Sequence, residues 1–135
     1  MSRDIVFDSF AMLALFREEK GHDEVSNLLT EISMGERKGF MCVVNVGEIY
    51  YITVRKQDEK KGQLALSSLM QFPLTFVEAD YELSIAAAKL KAKHKLSYAD
   101  AFAAVLSISK KATLITGDKE FKHLEKEPHF KVKFI

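Results

Sequence analysis

The chain consists of short apolar runs separated by longer segments in which apolar residues recur at helical spacing. The short runs predict buried strands, and the spaced segments predict helices. Strands are predicted at residues 5–8, 40–44, 74–77, 113–116 and 132–135. Helices are predicted at about residues 10–17, 23–34, 45–55, 58–72, 81–93, 97–108 and 119–124. Short apolar strands that alternate with helices indicate an α/β fold with a mainly parallel sheet covered on both faces.

Polar residues mark the expected helix starts. The predicted N-caps are Asn45, Asp58, Asp80 and Ser97. Pro73 is expected to end a helix just before the third strand. In a parallel sheet covered by helices, ligands bind outside the carboxyl ends of the strands, so functional residues are expected at that edge.

The length and composition are those of one ordinary globular domain. The chain has 135 residues, of which 47% are hydrophobic and 29% charged, so we expect a single domain over residues 1–135 with a sizeable core. These values exclude intrinsic disorder, a collagen-like repeat and a disulfide scaffold. No apolar run approaches the roughly 18 residues of a membrane span. The amino terminus has no secretory signal pattern, so a cytoplasmic location is expected.

The charge is unevenly distributed, although its sum is only +1. Residues 1–88 carry 9 Lys and Arg against 14 Asp and Glu, whereas residues 89–135 carry 11 Lys against 5 acidic residues. A basic segment beside acidic positions would guide a polyanion toward an acidic centre. The alternative is that these lysines are solvated and interact favourably with the end of their helix.

Four carboxylates fall at the carboxyl edge of the predicted sheet. Each ends or follows a strand, or lies in the first turn of a helix: Asp8, Glu48, Asp100 and Asp118. Any one of them alone is explained as readily by helix capping. If they meet, like charges raise one another's pKa at a cost in stability, which a bound cation removes. An all-oxygen ligand set suits Mg²⁺ or Mn²⁺ and is a poor match for Zn²⁺.

A reaction class follows from such a metal site. A divalent cation bound by carboxylates activates water and neutralises charge on a phosphoryl group, so the site suggests phosphodiester hydrolysis. Other chemistries lack their residues, because the four histidines show no zinc spacing and neither a Walker loop nor a Gly-x-Ser-x-Gly elbow is present. Cys42 lies in an apolar run and is predicted to be a small buried hydrophobic residue rather than a nucleophile.

The order of these residues resembles that of PIN-domain nucleases, most closely the compact VapC-like toxins of VapBC-type toxin–antitoxin systems. The resemblance covers residues 5–135 and rests on Asp8-Ser9, Asn45-x-x-Glu48-Ile-Tyr, Leu96-Ser-Tyr-Ala-Asp100-Ala-Phe and Leu114-Ile-Thr116-Gly-Asp118-Lys-Glu-Phe. The last two segments are fairly specific. One departure is that many members have Asn or Ser two residues after the first Asp, where this chain has Phe10.

The resemblance implies a three-layer α/β/α sandwich and a Mg²⁺- or Mn²⁺-dependent, single-strand-specific endoribonuclease that hydrolyses RNA with a metal-activated water. By position, the catalytic and metal-binding set would be Asp8, Glu48, Asp100 and Asp118, supported by the hydroxyls of Ser9 and Thr116. The implied partners are RNA, a small antitoxin protein and a second copy of the chain in a homodimer. With RNA as the polyanion, the basic contact residues would be Lys89, Lys91, Lys93 and Lys95.

The first two predicted helices suggest a surface for such protein partners. They carry seven large apolar residues within 21 positions, which are Met12, Leu13, Phe16, Val25, Leu28, Leu29 and Ile32. Part of this surface is expected to be exposed and to receive a second copy or an antitoxin helix with a basic residue near its C-terminus. The alternative is that these residues fill the core.

Other functions are also compatible with the sequence. A phosphoaspartyl phosphatase or receiver domain also places Asp at strand ends, but Phe10 stands where the phosphatase needs a second Asp, and only Asp4 is left of the receiver's acidic pair. Within the resemblance, the alternatives are a non-catalytic PIN-like module that binds RNA or protein, and an RNA-processing nuclease without an antitoxin.

Overall fold

The computed structural model describes residues 3–135, which form one parallel sheet flanked by helices. The strands are β1 (Ile5–Phe7), β2 (Gly39–Cys42), β3 (Thr75–Val77), β4 (Thr113–Thr116) and β5 (Val132–Phe134). The helices are α1 (Ser9–Phe16), α2 (His22–Ser33), α3 (Val43–Lys56), α4 (Glu59–Gln71), α5 (Tyr81–Lys93), α6 (Tyr98–Ser109) and a 3-10 helix (Lys119–Leu124). The strand order is β3-β2-β1-β4-β5, and every neighbouring pair is parallel. The predicted α/β class and its parallel sheet are therefore confirmed.

Both faces of the sheet are covered, because alternate strand residues point to opposite sides and each side meets helices. The core on one face includes Val6, Cys42 and Leu114 of the strands, with Leu90 of α5 and Phe102 of α6. The core on the other face includes Phe7 and Met41 of the strands, with Met12, Val25, Ile49 and Leu69 of α1 to α4. This is the three-layer α/β/α sandwich that the resemblance implies.

Three of the four predicted N-caps are confirmed. Side-chain oxygens of Asp58, Asp80 and Ser97 accept hydrogen bonds from backbone N–H groups three residues later, at 2.8, 2.9 and 3.1 Å. Each of these bonds satisfies a backbone donor that would otherwise lack a partner at the start of a helix. The positions where α4, α5 and α6 begin are thus determined by local sequence.

The expectation that Asn45 caps a helix is wrong. β2 ends at Cys42, two residues earlier than predicted, and α3 begins directly at Val43. Asn45 lies instead in the first turn of α3, fully buried, where its Nδ2 donates to the Ala99 carbonyl 3.2 Å away. The side chain of Asn45 therefore ties the start of α3 to the start of α6.

The expectation of an exposed apolar patch on α1 and α2 is also wrong. Six of its seven residues are at most 9% exposed, and the seventh, Phe16, is partly buried and stacks on Phe72 with ring centroids 6.0 Å apart. These residues are buried because α1 and α2 cover the same sheet face and pack against each other as well as against the strands. The alternative, that they fill the core, is the one the structure supports.

Cys42 is fully buried, as expected of a small hydrophobic residue. Burial raises the pKa of its thiol, which keeps the sulfur protonated and agrees with the exclusion of a cysteine nucleophile. Within residues 3–135, no helix has both the length and the apolar character needed to cross a membrane.

Candidate functional site

The candidate site lies at the carboxyl edge of the two neighbouring strands β1 and β4. Phe7 of β1 pairs with Ile115 of β4. The residues that follow them, Asp8 and Thr116, therefore lie side by side at this edge. α1 begins directly after Asp8, and the 3-10 helix begins directly after Asp118. The parallel sheet thus brings together residues that are more than 100 positions apart in sequence.

Asp8 is the acidic residue most deeply buried in residues 3–135, with 1% of its surface exposed. Its Oδ1 accepts the Ala11 N–H at 2.9 Å, and its Oδ2 accepts the Thr116 hydroxyl at 2.5 Å. Asp8 is therefore the N-cap of α1, the alternative role considered for it, and at the same time a carboxylate at the carboxyl edge of the sheet.

Thr116 connects Asp8 to Asp118. Its fully buried hydroxyl donates to Asp8 and accepts the Asp118 N–H at 3.0 Å. Asp118 in turn caps the 3-10 helix by accepting the Glu120 N–H at 2.9 Å. This chain of hydrogen bonds fixes Asp8 and Asp118 relative to each other.

Glu48 is held in place by Ser9. The Ser9 hydroxyl donates to Glu48 Oε1 and so joins the first turn of α1 to α3. Glu48 is partly buried and lies close enough to Asp100 to raise the pKa of that carboxyl. Each of the two predicted supporting hydroxyls, Ser9 and Thr116, thus holds one of the four predicted acidic residues.

A close carboxylate cluster forms on this edge from Asp100, Asp118 and Glu120. One carboxylate oxygen of each residue lies within 4.8 Å of the other two. Asp100 is buried in the first turn of α6, Asp118 is partly buried, and Glu120 is exposed. Glu120 was not predicted from the sequence; the available signal was its position two residues after Asp118, at the start of a helix.

The predicted four acidic residues therefore occupy one region, although in different ways. Asp100 and Asp118 belong to the close cluster, whereas Asp8 and Glu48 lie beside it and are held by hydroxyls. Desolvation by burial raises the pKa of Asp8 to about 7, with smaller contributions from Asp100 and Asp118. Burial also raises the pKa of Asp100 to about 7, and the charges of Asp118, Glu48 and Glu120 add to the effect.

The donor set fits a hard divalent cation. Its members are carboxylate oxygens, and within residues 3–135 no lysine or arginine forms an ion pair with any of these five acidic residues. Without a counter-charge, Asp8 and Asp100 favour the protonated form, because burial disfavours their charge and the neighbouring carboxylates add to the effect, and their raised pKa values express this. Oxygen ligands of this kind suit Mg²⁺ or Mn²⁺.

These raised pKa values predict how the stability of the metal-free protein depends on pH. Folded Asp8 and Asp100 bind protons up to a pKa of about 7, whereas in the unfolded chain they release them near the ordinary aspartate pKa of 3.8. Because the folded state binds more protons in this interval, the free energy of unfolding should fall by a few kcal/mol as the pH rises from about 4 to about 7. Urea unfolding in EDTA at pH 5 and pH 8 measures this, and equal or higher stability at pH 8 would contradict it.

The predicted basic contacts lie on and after the last turns of α5. Lys89, Lys91, Lys93 and Lys95 are all exposed. The Lys91 ammonium donates to the Leu96 carbonyl at 3.0 Å and so stabilises the turn between α5 and α6. Lys91 therefore has a local structural role, while the contact role of the other three stays a prediction.

The comparisons with known proteins agree with this architecture. A family model for the PIN domain matches residues 5–127. A chain in the structure of VapBC2 from Rickettsia felis bound to a DNA fragment from its promoter is similar, with 14% identity, a TM-score of 0.75 and coverage of 97% of this chain and 98% of that one. A search of curated proteins gives no match.

Two further solved structures show the same fold. A chain of DNA-bound VapBC from Salmonella typhimurium has 14% identity and a TM-score of 0.73, with coverage of 99% of this chain and 98% of that chain. VapC20 from Mycobacterium tuberculosis, a sarcin-ricin loop cleaving toxin, has 13% identity and a TM-score of 0.70, with coverage of 90% and 95%. At such identities the likeness is one of fold.

Proposed function

Because this chain belongs to the PIN domain family, we propose that it is a metal-dependent, single-strand-specific endoribonuclease and the toxin of a toxin–antitoxin pair. The observation that carries the proposal is the carboxylate cluster of Asp100, Asp118 and Glu120 beside the buried Asp8. A fold neighbour that cleaves the sarcin-ricin loop supports RNA as the substrate. The proposed cofactor is Mg²⁺ or Mn²⁺, and the proposed location is the cytoplasm.

In this mechanism the chain supplies a rigid acidic site. Asp8, Asp100 and Asp118 would hold the cation, with Glu48 beside them. A cation bound there supplies Lewis acidity, which activates water and neutralises charge on the phosphate. Thr116 fixes Asp8 and Asp118, and Ser9 fixes Glu48, so these carboxylates keep their arrangement without reorganisation.

Strand specificity is tested with one RNA sequence presented in two forms. Purified protein with Mn²⁺ should cleave the single strand and leave the same sequence intact when it is annealed to its complement. Equal cleavage of both forms would remove the single-strand claim. Binding of RNA with no cleavage of either form, under conditions in which Mn²⁺ is shown to bind, would favour the non-catalytic module.

The antitoxin is proposed to dock in a groove between α1 and the α3–α4 pair. Leu13, Phe16, Thr53, Leu64 and Ala65 are among the residues that line a cavity of about 260 Å³ there. Leu64 is half exposed, and Arg17 of the same groove has a buried Nη2 with no hydrogen-bond partner in residues 3–135. A helix that brings apolar side chains and a carbonyl or carboxylate oxygen would satisfy both features. Fold neighbours solved as toxin–antitoxin complexes support this partner.

We expect a short protein encoded beside this gene to inhibit RNA cleavage, through an amphipathic helix and a basic residue near its C-terminus that enters the acidic cluster. Leu64→Glu in the groove should weaken that inhibition without changing cleavage by the free protein, and Met70→Glu, an equally exposed residue of α4, is its control. Co-purification of the neighbour with full nuclease activity would contradict the inhibition. The absence of such a neighbour would favour an RNA-processing nuclease.

A homodimer in solution is also proposed. Sedimentation velocity at tens of micromolar protein measures it directly, and the expected result is a species of twice the chain mass. A monomer at that concentration would remove the claim. The apolar residues of α1 and α2 do not supply the contact surface, because six of the seven are at most 9% exposed and the seventh, Phe16, is partly buried and lines the antitoxin groove.

The lysines of α5 are expected to contact RNA phosphates. Lys89 and Lys93 are one turn apart on the same face, so Lys89→Gln with Lys93→Gln should lower RNA affinity. The salt dependence should also become shallower: the magnitude of the negative slope of log affinity against log salt should fall by about 0.7 for each lost phosphate contact. Lys20→Gln with Lys60→Gln, which removes two exposed lysines elsewhere, is the matched control. If the double variant of Lys89 and Lys93 changes neither the affinity nor the slope, these lysines do not contact RNA and only stabilise the carboxyl end of α5.

A further inference from the structure

A half-exposed aromatic ring lies beside the acidic site. Phe10 is in the first turn of α1, two residues after Asp8, and 44% of it is exposed. It belongs to neither of the core clusters formed by residues 3–135. Within the same residues, its ring neither stacks on another ring nor contacts a cation. Core packing therefore does not explain why a large ring stands at this position.

Gly117 provides the space in which the ring lies. A Cβ on Gly117 would come within 2.3 Å of Phe10 Cε1 and 2.7 Å of Cδ1, so a larger residue would displace the ring. The φ angle of Gly117 is not in the left-handed region, so glycine is required here for space rather than for backbone conformation. Gly117 stands between Thr116 and Asp118, and the ring is therefore in contact with the loop that carries the acidic site.

We propose that Phe10, seated on Gly117, is the platform on which an unpaired base of the RNA stacks next to the scissile phosphate. This inference rests on the proposed ribonuclease function and names a specificity-determining residue for it. The surrounding carboxylates repel a phosphate backbone, whereas an aromatic face attracts a base without using charge. A base inside a duplex is stacked between its neighbours and does not reach such a ring, so the platform selects single strands.

The exposed tyrosines Tyr51 and Tyr98 are less suited to this role because their rings already have partners. The Tyr98 hydroxyl donates to the Ser84 carbonyl at 3.1 Å, and the Tyr98 ring packs on Phe102 with centroids 4.9 Å apart. The Tyr51 ring faces the Arg55 guanidinium at 5.2 Å. Phe10 is as exposed as Tyr98, at 44%, but within residues 3–135 its ring has no aromatic or cationic partner that would compete with a base.

The test measures RNA binding separately from RNA cleavage. In an Asp100→Asn background, which keeps the RNA intact, single strands carrying 2-aminopurine at successive positions are titrated with protein. We expect the fluorescence to be quenched at one position, and Phe10→Ala to abolish the quenching and to weaken binding by roughly 5- to 100-fold. Phe10→Trp should restore binding, whereas Phe10→Leu, which fills space without an aromatic face, should not. Met34→Ala, which removes a 70% exposed side chain from the C-cap of α2, is the control.

An abasic nucleotide at the responding position distinguishes stacking from a structural role. The wild-type protein should bind the abasic RNA more weakly than the intact RNA, by the same factor by which Phe10→Ala weakens binding of the intact RNA. Phe10→Ala with the abasic RNA should bind no more weakly than with either change alone. Rescue by Phe10→Leu would overturn the proposal, and so would a Phe10→Ala protein that binds abasic RNA more weakly than the wild type does by the same factor as on intact RNA. Loss of antitoxin binding in Phe10→Ala with unchanged RNA binding would overturn it as well. If the protein cleaves RNA but Phe10→Ala binds and cleaves normally, this inference fails alone. If base-dependent binding through Phe10 persists in a protein that cleaves no RNA, only the ribonuclease proposal fails.

Discussion

Replacing Asp100 with asparagine is expected to reduce RNA cleavage by about 100-fold or more while the protein stays folded. Asp100 shares the close cluster with Asp118 and Glu120, and Glu48 adds a further negative charge nearby. The substitution removes an anionic ligand but keeps the backbone N–H that donates to the Ser97 hydroxyl at 3.1 Å, so the start of α6 should be unchanged. Because a buried like charge is removed, the midpoint of thermal unfolding in EDTA at pH 8 should rise.

Asp58→Asn is the matched control for this change, because Asp58 is an N-cap with no part in the acidic site. It should leave cleavage unchanged. Asp8→Asn should also lose most of the activity, but with a smaller gain in stability, since asparagine cannot replace both the carboxylate oxygen that accepts from Ala11 and the one that accepts from Thr116. Full activity of Asp8→Asn or Asp100→Asn at saturating metal would refute the assignment of the site.

Removal of divalent cations is expected to abolish cleavage entirely. The donor set consists of oxygens, and within residues 3–135 no lysine or arginine pairs with its negative charge, so a bound cation would balance that charge. Mg²⁺ or Mn²⁺ added after EDTA treatment and dialysis should restore cleavage, whereas Zn²⁺, which prefers nitrogen and sulfur ligands and four-fold coordination, should restore it poorly.

A second readout of the same experiment does not depend on RNA. Mn²⁺ should raise the thermal midpoint of the wild-type protein at pH 8 and have a much smaller effect on Asp100→Asn. Cleavage that continues unchanged in EDTA would contradict a metal-dependent mechanism. An equal rise of the midpoint in both proteins would place the metal at some other site.

The fold was predictable because its determinants are local and repeated. Apolar runs as short as Thr113–Thr116 are long enough for a buried strand, and polar residues such as Asp80 and Ser97 mark helix starts through bonds to N–H groups only three residues away. Once the strands are parallel, acidic residues that follow them gather at one edge regardless of their separation in sequence. This is why Asp8 and Asp118 could be placed in one site without a structure.

The errors arose where a distant contact overrides the local pattern. The run Cys42-Val43-Val44 has the composition of a strand, but α3 begins within it, and Asn45 reaches a carbonyl 54 positions away that no local pattern reveals. The spacing of apolar residues in α1 and α2 identifies a buried face but not how much surface the sheet and the neighbouring helix cover. Glu120 was missed because an acidic residue in a first helical turn is ordinarily explained by the helix dipole.

The measurement that tests the central claim most directly is the chemistry of the cleaved ends. Purified protein is incubated with Mn²⁺ and a single-stranded RNA in water enriched in ¹⁸O, beside the Asp100→Asn protein prepared in the same way. Because water is the proposed nucleophile, the wild-type products should carry one ¹⁸O atom in a terminal phosphate, a 2′-O-methyl group at the cleaved nucleotide should not prevent the reaction, and the variant should release almost no product. Products ending in a 2′,3′-cyclic phosphate, or equal cleavage by Asp100→Asn, would contradict the account.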